Sequence, residues 1–102
     1  MTQAIILNFA FFTGRKDPSK SYYRFDMYNI DDKKLYVIMQ EAAYMEIPNG
    51  EIPSKEDCVN TFPRKAELEF SFDQYRDKEG RTVYSPRVRA IKSWKPINLK
   101  AL

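Results

Sequence analysis

Apolar and polar residues alternate with period two through most of this chain, the spacing of strands buried on one face. Ala4 to Phe12 is almost wholly apolar, with Ile5, Leu7, Phe9 and Phe11 in phase and Asn8 as the interruption. The run Gly14-Arg15-Lys16-Asp17-Pro18-Ser19 then breaks it as a turn. Ser21 to Tyr28 alternates cleanly, Tyr23, Phe25 and Met27 falling on one side and Tyr22, Arg24, Asp26 and Tyr28 on the other. Asn29 to Asp32 carries turn chemistry, so Leu35 to Gln40 is predicted to return as the third strand of a hairpin.

From Glu41 to Phe62 the pattern changes. Pro48, Asn49-Gly50 and Pro53 fall here, and one lysine stands against five carboxylates, a local charge of −4. This reads as an acidic linker, with one short helix where Ser54 is an N-cap and Asp57 takes the capping-box position. Alternation resumes over Lys65 to Phe72, with Ala66, Leu68, Phe70 and Phe72 facing in and Glu67, Glu69 and Ser71 facing out. A charged turn, Arg76-Asp77-Lys78-Glu79-Gly80-Arg81, leads to a last strand over Thr82 to Trp94, in which Pro86 requires an edge or a bulge. Residues 95–102 read as a tail to a single domain over 1–94.

Three strands, a linker and a closing hairpin are the order of an OB-fold, a mostly β, five-stranded and partly open Greek-key barrel; a small SH3-like barrel or meander is the alternative. In the OB reading, the outward face of strands two and three is flanked by the two basic loops, with Arg15, Lys16 and Lys20 on one and Arg76, Lys78 and Arg81 on the other. Tyr22, Arg24 and Tyr28 point outward on strand two, and Tyr36 is expected to join them from strand three. Bases stack on aromatic rings while Arg and Lys neutralise phosphates, so this combination suits a single nucleic-acid strand. Duplex DNA hides its base faces.

Composition narrows the chemistry. The 102 residues contain no histidine and one cysteine, Cys58, which removes the usual ligands for zinc, copper or haem and the commonest general base. Asp31/Asp32 read as a turn and Glu67/Glu69 as a wet strand face, so neither acid pair is a catalytic candidate, and neither enzyme activity, a cofactor nor a small-molecule substrate is expected. No apolar run reaches the roughly 20 residues of a membrane-spanning helix, and no secretory signal is recognisable, so a soluble, cytoplasmic protein is expected. The net charge of +3 is modest, but residues 63–102 carry ten Lys/Arg against five Asp/Glu, with Arg87, Arg89 and Lys92 on the last strand. Basic groups thus collect away from the acidic linker, on a surface fit for a polyanion.

The order of Ser21-Tyr22-Tyr23 after a basic loop, a hairpin, a Pro-containing linker and the closing Arg87-Val88-Arg89-Ala90-Ile91-Lys92 resembles the small single-stranded-DNA-binding proteins of bacteriophages and mobile elements, including the helix-destabilising proteins of filamentous phages. The resemblance spans residues 4 to 94. It implies an OB-fold homodimer that coats single strands in replication or recombination, with Tyr22 and Arg24 in the binding hairpin and Arg15, Lys16 and Lys20 in its flanking loop. It does not extend to the acidic tip of cellular single-strand-binding proteins, because this chain ends Asn98-Leu99-Lys100-Ala101-Leu102. The tyrosines and arginines equally suit a protein interface, which leaves an interaction module or inhibitor as the rival, and RNA offers the same stacking and phosphate contacts as DNA.

Overall fold

The computed structural model describes residues 1–97. Six strands form one antiparallel sheet: β1 (Thr2–Ile6), β2 (Ala10–Thr13), β3 (Ser21–Asn29), β4 (Lys34–Glu41), β5 (Arg64–Arg76) and β6 (Thr82–Pro96). The order runs β2-β3-β1-β5-β6, and β4 pairs with the other side of β3.

β1 and β2 are one apolar strand broken by a bulge. Ile6 pairs with Met27 and Ala10 with Arg24, so Leu7, Asn8 and Phe9 lie opposite only Phe25 and Asp26. Asn8 holds the break: its Oδ1 accepts from the Asp26 amide at 3.0 Å, its Nδ2 donates to the Asp26 carboxylate at 2.8 Å, and the Leu7 amide donates to the Asp26 carbonyl at 2.8 Å. The extra residue inverts the phase of the strand. Ala4 and Ile6 are buried before it and Phe9 after it, while Leu7 is exposed. The expected single face of Ile5, Leu7, Phe9 and Phe11 is therefore corrected, because the bulge lets both halves send residues inward.

β3 follows its alternation, with Tyr23, Phe25, Met27 and Asn29 buried. Asn29 closes the turn to β4, its Oδ1 accepting from the amides of Asp31 and Asp32 at 2.9 and 3.2 Å. The acidic linker contains two 3-10 turns, Ala42–Tyr44 and Pro48–Gly50, and the helix α1 (Lys55–Asn60). Ser54 caps α1 by accepting from the Asp57 amide at 3.1 Å. β6 extends to Pro96, past the expected end at Trp94, so Lys95 and Pro96 belong to the strand; residues 98–102 of the expected tail lie outside the described residues. Pro86 stands opposite Phe72 on an edge strand, where its missing amide hydrogen is tolerated.

Two bulges in β6 leave Lys92 and Arg89 without a register partner in the β5 backbone, as the register steps from Ser93 to Ile91 and from Ala90 to Val88. Val88, Ala90 and Ile91 can then all be buried beside Phe25, Met27, Ile38 and Leu68. Phe9 seals one end of this core, its ring centroid 5.1 Å from Tyr23, 5.7 Å from Phe25, 5.8 Å from Phe62 and 5.5 Å from Trp94. Each such ring removed from water is worth about 1.5–3 kcal/mol.

Candidate nucleic-acid interface

The pairing register determines what shares the outward face of β2, β3 and β4. Tyr22 lies between Phe12 and Glu41, Arg24 between Ala10 and Met39, and Asp26 faces Val37. Tyr28 lies between Ile5 and Leu35. Tyr22, Arg24 and Tyr28 therefore share one surface, as their spacing predicts. Arg24 is exposed and has no ion-pair partner among the described residues.

Tyr36 does not join them. It pairs with Met27, a buried residue, and so belongs to the opposite face of the sheet. Its ring packs on Phe70 and Phe72 at 5.0 and 5.8 Å, and its hydroxyl donates to Asp32 at 2.5 Å. The β4 residues that do face outward are Leu35, Val37 and Met39, all more than half exposed. Both faces of β4 are apolar in sequence, so alternation alone does not say which is wet. The polar Gln40 points the wrong way: it is buried, where its side chain bonds the backbone of Val88.

Beside this face the Gly14–Lys20 loop forms one wall of a cleft of about 680 Å³, whose other walls include Phe12, Tyr22 and Met39. Phe12 and Tyr22 stack, with centroids 5.8 Å apart and planes at 24°. The loop is compact for identifiable reasons. The Gly14 amide donates to the Lys20 carbonyl at 2.8 Å and the Lys20 amide to the Asp17 carbonyl at 3.1 Å. Asp17 accepts from the amide and hydroxyl of Ser19 at 3.1 and 2.5 Å, and these bonds hold its carboxyl below the usual aspartate range. Gly14 is required by crowding: a Cβ there would lie 2.9 Å from the Asp17 carbonyl oxygen and 3.0 Å from the Tyr22 ring. Phe12 escaped the sequence reading because it sits in the apolar run of the first strand, and only the bulge at Asn8 turns it outward.

The cations on the cleft differ in what they can offer. Arg15 and Lys16 are exposed and without ion-pair partners among the described residues, whereas Lys20 reaches Glu41 at 3.4 Å. Arg76, Lys78 and Arg81 stand elsewhere, on the tip of the β5–β6 hairpin. None of the three lines the cleft, and they lie at least five residues of β6 from Arg87, whose guanidinium donates to the Met39 carbonyl at 3.1 Å. Arg81 is engaged within its own turn by Asp77 and Glu79, and Arg87 also pairs with Asp73 at 3.2 Å. Arg89 is exposed on its bulge beside β4.

Among the described residues no three His, Cys, Asp or Glu side chains gather as a metal site, and no helix is long and apolar enough to cross a membrane. Comparison of the chain with protein families, with curated proteins and with solved structures finds no match.

Proposed function

We propose that this protein binds single-stranded DNA, without catalysis, across the outward face of β2, β3 and β4, on a sheet of the OB kind. The OB reading is supported by the bulged β1–β2 strand, which pairs with β3 along its length and with β5 over its first half, and by the side-chain bridge from Gln40 on β4 to Val88 on β6. Such a partly open barrel uses this face and the loop beside it for oligonucleotides.

The observation that carries the function is the stacked Phe12–Tyr22 pair in a cleft rimmed by Arg15 and Lys16. A base laid on these rings gains about 1–3 kcal/mol, and each phosphate neutralised by a cation releases counterions. Arg24 lies one step along the same face, in line with a strand crossing it. The test is competition among single-stranded DNA, RNA and duplex DNA at two salt concentrations. Single-stranded DNA should compete best, duplex should compete poorly, and Tyr22→Ala should weaken binding while the protein stays folded. Equal competition by duplex would refute the assignment.

One observation favours a second reading. Leu35, Val37 and Met39 form an exposed apolar stripe on β4, which suits a protein partner better than a polyanion. A protein-only interface would leave the molecule indifferent to heparin and single-stranded DNA columns.

A further inference from the structure

Past Glu41 the chain leaves the sheet through the 3-10 turn Ala42–Tyr44, and there a second cleft of about 560 Å³ opens between β4 and β6. Gln40, Glu41, Tyr44, Asp73, Arg87 and Arg89 line it. Tyr44 is 75% exposed, so its ring is not held by the core.

The backbone positions of Tyr44 and Arg89 are nonetheless fixed. Met45 is buried, and Glu46 forms a parallel bridge to β6, its amide donating to the Arg89 carbonyl at 3.0 Å and its carbonyl accepting from the Ile91 amide at 2.8 Å. The bulge that leaves Arg89 without a partner on β5 keeps Val88 and Ala90 buried on either side of it. An aromatic ring and a cation without an ion-pair partner among the described residues are thus presented on ordered backbone, and Arg87 lies beside them.

This cleft adjoins the first. Met39 lines the first cleft and its carbonyl accepts from Arg87, which lines the second. Lys20 lines the first cleft and pairs with Glu41, which lines the second. Two carboxylates line the second cleft, and both already have a cation: Glu41 has Lys20 and Asp73 has Arg87. The remaining positive charge is that of Arg89.

We infer that Tyr44 and Arg89 form a second nucleotide subsite, where a base stacks on Tyr44 and a phosphate meets Arg89, for a single strand that continues from the Phe12–Tyr22 cleft across the end of β4. The inference rests on the reading of the outward face as a single-strand site. It makes the length of the bound strand a property of two clefts rather than one. The path from β2 to β4 alone spans two strand spacings, about 10 Å, before the second cleft begins.

Fluorescence anisotropy with labelled oligothymidylates of about 4 and about 16 nucleotides, the range covered by a single OB-fold, separates the two subsites. The parent protein should bind the longer oligomer more tightly. Tyr44→Ala should weaken the longer one by about tenfold and leave the shorter unchanged, while Tyr44→Phe should behave as the parent. Arg89→Ala should lower the salt slope of the longer oligomer by about 0.7 and not that of the shorter. If both alanine variants, folded by circular dichroism, bind the longer oligomer as the parent does, the second subsite is overturned and the first stands. If the parent binds neither oligomer, the face itself is misassigned and the subsite falls with it.

Discussion

The side-chain amide of Gln40 stands in for a strand at the backbone of Val88, its Nε2 donating to the Val88 carbonyl at 2.5 Å and its Oε1 accepting from the Val88 amide at 3.1 Å. Both bonds are buried, and they join β4 to β6, which have no backbone ladder between them among the described residues. Gln40→Leu leaves an amide and a carbonyl of the core unpaired. Each orphaned group costs about 1–3 kcal/mol, so the variant should lose about 2–6 kcal/mol in urea unfolding. An unchanged midpoint would show that the bridge contributes nothing.

Phe12 and Lys16 line the same cleft but should fail differently. Lys16→Ala removes about one phosphate contact, so the slope of log K against log salt for single-stranded DNA should shallow by about 0.7. Phe12→Ala removes stacking and should cost about 1–3 kcal/mol with little change in slope. Titrations at several salt concentrations separate the two, and identical slopes for Lys16→Ala and the parent would exclude that loop from the interface.

Tyr36→Ala should reduce stability through the lost packing on Phe70 and Phe72 and leave single-strand affinity unchanged, because the ring is on the other face of the sheet from Tyr22. Its phenol is pushed above the usual tyrosine range, chiefly by the hydrogen bond to Asp32. A raised folded value favours the protonated form, so this contribution is complete below about pH 10 and is lost as pH rises through the folded value. Thermal unfolding of Tyr36→Phe should therefore show a shallower alkaline decline than the parent.

Asp17 has the opposite sign. Its carboxyl is held low by the Ser19 hydroxyl and then by the Ser19 amide, so the ordering of the loop is present above the ordinary aspartate value of about 3.9 and is lost as pH falls through the lower folded value. Protection of the Ser19 and Lys20 amides, taken relative to their intrinsic exchange rates at each pH, should fall on acidification while the core amides stay protected. Gly14→Ala should loosen the same amides at neutral pH and weaken single-strand binding, since the Asp17 carbonyl cannot remain 2.9 Å from a Cβ. Unaltered exchange in that variant would mean the loop has room to spare.

Cys58 lies half-buried on α1, its Sγ 3.9 Å from the Pro53 carbonyl. Burial pushes its thiol up, opposed in part by Arg64 and assisted by Asp57. Alkylation at neutral pH should be slow compared with a free thiol, and Cys58→Ser should keep both fold and single-strand affinity. Fast labelling would contradict the burial.

Period-two alternation was enough to locate the strands and the outward set Tyr22, Arg24 and Tyr28, because β3 separates polar from apolar residues residue by residue, and the Ser54–Asp57 capping pattern located the helix. It was not enough where both faces are apolar. On β4 the sequence offers Tyr36, Ile38 and Gln40 or Leu35, Val37 and Met39, and only pairing with β3 decides that the second set meets solvent. In the first strand only the Asn8–Asp26 bonds, formed between residues 18 apart, insert the bulge that buries Ile6 and Phe9 together and turns Phe12 outward. Tyr44 and Arg89 are 45 positions apart, and no local signal relates them; the Glu46–Ala90 bridge brings their backbones together. Local spacing determines which residues share a strand face, while register, bulges and side-chain bridges between distant strands decide which face is wet and which residues meet there.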